Sequence, residues 1–95
     1  MKPKEMLAEL ESAAQSIDVK VSYESIASSM MRGGLCKVKG QYRVIIDKRL
    51  NAEERANTLA ESLARFDFSG LDTIPQGARS LLDYYAVRSQ RLAAG

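Results

Sequence analysis

The chain contains no histidine and no tryptophan, a single cysteine and only two prolines. Each absence removes chemistry. Without His there is no His-dependent catalytic triad, no His-ligated zinc and no imidazole switch near neutral pH. One cysteine forms no internal disulfide and no Cys₂ to Cys₄ metal site. Long apolar runs are also missing: stretches such as Val44-Ile45-Ile46 fall far short of the roughly 20 residues that span a bilayer. Glu5, Glu9 and Glu11 interrupt any hydrophobic core of a leader, so no signal peptide and no membrane contact are expected. A lone Cys in such a chain points to a reducing, cytoplasmic location.

What remains is an ordinary globular composition, 45% hydrophobic and 27% charged. At 95 residues the chain supports one domain, 1–95, burying roughly two-thirds of its unfolded surface around one modest core. The net charge of +2 is unevenly spread. Residues 32–49 hold six bases (Arg32, Lys37, Lys39, Arg43, Lys48, Arg49) and one acid, Asp47, for +5; the remainder holds eight bases and eleven acids, for −3.

Hydrophobic periodicity divides the chain into six elements. Over 3–16, Met6, Leu7, Leu10, Ala13 and Ala14 recur at spacings of three and four, with Pro3 suited to the first helical position. From Ile17 the period becomes two, and Ile17, Val19, Val21 and Tyr23 mark a half-buried strand. Residues 24–32 lose any period and read as a loop. Strands are expected over 35–39 and 41–47, joined by a tight turn at Lys39-Gly40. The uninterrupted Val44-Ile45-Ile46 suggests a central strand covered on both faces, and Cys36 shares a face of its strand with Val38, opposite Lys37 and Lys39. Asn51 followed by Glu54 forms an Asn variant of the capping box, opening a helix that runs to about residue 67. A last helix starts near Pro75 and carries Ala78, Leu81, Leu82, Tyr85 and Leu92 on one face. The expected fold is α+β, in the order α-β-β-β-α-α, with a three-stranded, mainly antiparallel sheet and the helices on one side.

The run 44–60, a strand ending in Asp47 followed by the capped helix and Leu59-Ala60, resembles the approach to the catalytic helix of ImmA/IrrE-type bacterial metallopeptidases. In that family the helix continues His-Glu-x-Gly-His, two zinc ligands around a carboxylate base. The matching positions here are Glu61, Ser62 and Arg65. Ser62 supplies no carboxylate, and a permanently cationic Arg65 does not ligate zinc. The resemblance therefore implies a metallopeptidase-like scaffold of a small bacterial family with the zinc motif absent: no catalytic residue, no metal and no cofactor. On the helix surface Glu61 and Arg65 are expected to form an i,i+4 pair worth about 0.3–0.5 kcal/mol.

Other chemistry finds little support in the residues. Cys36 has no base to activate it and reads as a buried structural thiol. Ser25, Ser28 and Ser29 have no Lys placed beside them, and Glu53 and Glu54 are accounted for by the helix start. Two interaction readings remain. The first is a protein partner or a homodimer, contacted through Met30, Met31 and Tyr84, the last because Tyr84 and Tyr85 cannot both face a helix core. The alternative is nucleic-acid binding through the basic hairpin 32–49, with Lys37, Lys39 and Arg43 laid along phosphates.

Overall fold

The computed structural model describes residues 2–26 and 33–88. Its elements follow the expected order: α1 (Pro3–Ser16), β1 (Lys20–Glu24), β2 (Gly33–Val38), β3 (Gln41–Asp47), α2 (Ala52–Leu63) and α3 (Gln76–Arg88). Met30 and Met31 lie outside the described residues, as does Leu92.

Helix α1 begins with Pro3 in its first turn and closes with a Schellman motif. The Val19 N–H donates to the Ala14 carbonyl at 2.9 Å and the Asp18 N–H to that of Gln15 at 3.1 Å. Asp18 takes the left-handed conformation (φ 57°) that glycine usually supplies. This reversal uses Ile17 as the helix cap, so β1 starts at Lys20 and not at Ile17.

The sheet has the order β1-β3-β2 and is mixed. β2 and β3 form an antiparallel hairpin whose two turn residues, Lys39 (φ 52°) and Gly40 (φ 80°), both have the positive φ that a type I′ turn requires. β1 pairs with β3 in parallel, Lys20 beside Arg43 through Glu24 beside Asp47. Gly33 enters β2 at φ 133°, and a Cβ there would sit 2.2 Å from the Ile45 carbonyl oxygen.

β3 is central, but among the described residues the helices cover only one of its faces. Val44 and Ile46 are fully buried beneath them, whereas Ile45, on the opposite face, is only half-buried. On that second face Ile45 is half-buried and Asp47 buried, with no helix over them among the described residues, so the cover of the apolar triplet is uneven. The core joins Leu10, Ala13 and Ala14 of α1, Val44 and Ile46 of β3, Leu59, Ala60 and Leu63 of α2, and Ala78 and Leu82 of α3. Alanines on α1 and on α2 permit a close approach of these two helices, the most extensively packed pair.

Two N-terminal caps fix the helices, one long-range and one local. Glu9 Oε1 accepts the Ala78 N–H at 3.1 Å, so α1 caps the N-terminus of α3. The capping box of α2 is complete: Asn51 Oδ1 accepts the Glu54 N–H at 2.8 Å and Glu54 Oε1 accepts the Asn51 N–H at 3.0 Å. The helix ends at Leu63, four residues before the periodicity suggests. Leaving the helix there lets Phe66 meet Tyr42 edge-to-face, with centroids 5.1 Å apart, while Phe68 enters the core.

Candidate functional site

The three positions equivalent to a zinc motif do not converge. Glu61 is exposed and lines a shallow polar cleft of about 250 Å³ with Asn57, Thr58, Gly33 and Tyr85. Ser62 is buried, and its hydroxyl donates back to the Thr58 carbonyl at 3.0 Å. Arg65 lies beyond the last helical residue and does not line the cleft. No ion pair joins it to Glu61, because the helix ends before i,i+4 geometry is reached. A lone exposed carboxylate with an amide, two hydroxyl groups and a backbone glycine is a poor donor set for zinc. Among the described residues no group of three or more His, Cys, Asp or Glu side chains gathers.

The basic hairpin is likewise split. In the hairpin register Lys37 stands opposite Tyr42 and Cys36 opposite Arg43. Lys37 therefore projects on the helix side, its Nζ 5.0 Å from the centre of the Tyr42 ring. Arg43 projects from the opposite face, and Lys39 sits in the turn between them. Tyr42 is packed on Phe66 and not presented for base stacking. The same register corrects the reading of Cys36 as a buried thiol: Leu35 packs on the core, and Cys36 is half-buried on the open face beside the exposed Val38.

That open face runs from Lys20 and Arg43 at one end, through Ser22, Ile45 and Gly34, to Glu24 and Asp47 at the other. Arg43 Nε is buried there without a hydrogen-bond partner. Asp47 is held by Arg49, whose backbone N–H and Nε both donate to Oδ1 at 3.0 Å and whose Nη2 reaches Oδ2 at 2.6 Å. These bonds hold the Asp47 carboxyl down at about 2, well below the usual carboxylate range. Arg49 also reaches the Ile26 carbonyl at 3.2 Å, tying the end of β3 to the chain after β1. Beside it, Glu24, Ile26, Gly33, Cys36 and Ile45 line an apolar hollow of about 310 Å³.

On the helix side, the Tyr23 hydroxyl donates to Glu11. Burial first, then this bond to a carboxylate, pushes the phenol well above its ordinary value. Arg55 lies over the Tyr23 ring, 4.8 Å from its centre, and donates to the Leu50 and Lys48 carbonyls. Arg79 similarly spans the carbonyls of Phe68 and Leu71. Both arginines serve the fold. Tyr84 is half exposed (51%) and meets Tyr85 edge-to-face, and Val87, three residues on, is 88% exposed. Sequence reasoning overlooked Val87 and the capping role of Glu9. The first lies on no apolar stripe, and the second depends on a partner 69 residues away.

No protein-family model, curated protein or solved structure matches the chain. No helix among the described residues is long and apolar enough to cross a membrane.

Proposed function

We propose that this chain acts without catalysis, as a small bacterial α+β domain that works through contacts with protein, on a scaffold resembling that of ImmA/IrrE-type metallopeptidases with the zinc motif absent. The carrying observation is the one-sided sheet: its open face bears Ile45, Cys36 and Val38 with no helix over them among the described residues. Exposed Tyr84 and Val87 on α3 add a second apolar surface. Support for the scaffold resemblance is the capped helix directly behind β3, with Glu61 facing an open cleft.

The reading is tested by affinity capture and sedimentation of the intact chain. Wild type should hold a specific protein partner that is lost in Tyr84→Ala or Ile45→Asp variants keeping the native circular dichroism, or should self-associate with rising concentration. A chain that stays monomeric and holds no protein would defeat the reading. Salt-sensitive binding to DNA or RNA that disappears on reversing Lys37, Lys39 and Arg43 to Glu would replace it with a nucleic-acid module.

A further inference from the structure

β1 is an edge strand, and among the described residues nothing pairs with its outer side. Natural edges are blunted by proline, bulges, shortness or charges, lysine above all. Lys20-Val21-Ser22-Tyr23-Glu24 has neither proline nor bulge, and its two charges are of opposite sign, so they repel a like strand only in some registers. Alongside this edge runs a groove of about 440 Å³ between β1 and α1, lined by Glu11, Gln15, Asp18, Val19, Lys20 and Val21. It leaves room for the side chains of an added strand.

The sequence of β1 is complementary to itself when reversed. We infer that a second copy of this chain pairs with it, β1 to β1, antiparallel about a two-fold axis through Ser22. Such an axis stands normal to the sheet, so each residue meets one that projects from the same face. On the open face Lys20 meets Glu24 of the second copy, Glu24 meets Lys20, and Ser22 meets Ser22. On the helix side Val21 meets Tyr23, and Tyr23 meets Val21. Opposite charges, a hydroxyl pair and aromatic–β-branched pairs are the cross-strand combinations that stabilise a sheet.

No other register does as well. A slip of one residue sets core-facing side chains against open-face ones. Moving by two sets Glu24 against Asp18, two acids, or Lys20 against Ile26. The other edge, β2, offers lysine as its sole charge and has no acid to receive it. Lys20 and Glu24 are both exposed, and among the described residues the Glu24 carboxylate accepts the Ser22 hydroxyl at 2.9 Å, within its own strand. The product is a continuous six-stranded sheet with all helices on one side. With five residues of strand on each copy, the interface is small and the association weak and concentration-dependent.

The inference rests on the protein-contact reading and narrows it to one surface and one partner. Its test is charge exchange, read by sedimentation of the intact chain up to about 1 mM. Lys20→Glu alone and Glu24→Lys alone each turn two attractive pairs into repulsive ones, and each should weaken dimerisation about tenfold or more. The double exchange, Lys20→Glu with Glu24→Lys, restores both pairs and should recover wild-type affinity within about threefold. Amide exchange in β1 should slow as wild-type concentration rises, and this readout needs no variant. A wild type monomeric throughout, or single variants that dimerise as well as wild type, overturns the inference. So does a double exchange that fails to recover. A dimer that ignores β1 but is lost in Tyr84→Ala overturns it while leaving the protein-contact reading intact.

Discussion

Asp47 and Arg49 show how one pair of side chains closes the end of a strand. The carboxylate is almost inaccessible, while the guanidinium that holds it is largely exposed (side chains 6% and 64% exposed). Folding thus lowers the Asp47 pKa to about 2, from near 3.9 in an unfolded chain. The fold prefers the ionised form, so the contribution is complete above about pH 4 and is lost as pH falls through about 2. Asp47→Asn should lower stability at neutral pH and flatten its dependence on pH across that acid window. Denaturant melts between pH 2 and 7 measure both effects, and an unchanged acid slope would contradict the assignment. Gly33 makes a different point at the same scale. Its positive φ and the nearby Ile45 carbonyl leave no room for a side chain, though nothing in the sequence distinguishes it from Gly34.

Secondary-structure elements were readable wherever the information was local. The helix over 3–16, the capping box at Asn51 and the turn at Lys39-Gly40 all follow from spacings of four residues or fewer. Readings failed where a distant partner decided. The apolar stripe of α2 continues past Leu63 to Phe66 without Gly or Pro, but Tyr42 draws Phe66 out of the helix. The hairpin register was in principle available: a two-residue turn at 39–40 necessarily sets Arg43 opposite Cys36 and not Lys37. The two caps permit a comparison. Asn51→Ala should cost about 1 kcal/mol through loss of the local cap on α2. Glu9→Ala should cost a similar amount, about 1 kcal/mol, and also loosen α3, since Glu9 holds the Ala78 N–H from another helix. Chemical denaturation with amide exchange in α3 separates them. Equal exchange in α3 for both variants would remove Glu9 from that role.

For the molecule as a whole, the layer arrangement decides what each side chain is worth. Ile46 is fully enclosed between β3 and the helices, whereas its neighbour Ile45 faces the open side. Ile46→Ala should therefore cost about 3–4 kcal/mol, and Ile45→Ala only about 1–2 kcal/mol. Equilibrium unfolding of both variants tests this, and equal losses would mean that the second face is as deeply buried as the first. The α+β class was legible because the order of periods along the chain determines it. The parallel pairing of β1 with β3 was not, because alternation within a strand reports its faces and never its neighbours. At the candidate zinc positions Ser62 and Arg65 are legible from residue type alone as poor zinc ligands, whereas their spatial separation follows from the early end of α2.

The mixed sheet also imposes an order of assembly on the chain. β2 and β3 meet across a two-residue turn, whereas Lys20 must find Arg43, 23 positions away along the sequence. Closing the longer loop costs more chain entropy before any contact is made, so local contacts form more readily than the parallel pairing. Until β1 docks, one side of β3 has open backbone groups, so the pairing slowest to form is also the one that makes β3 the central strand.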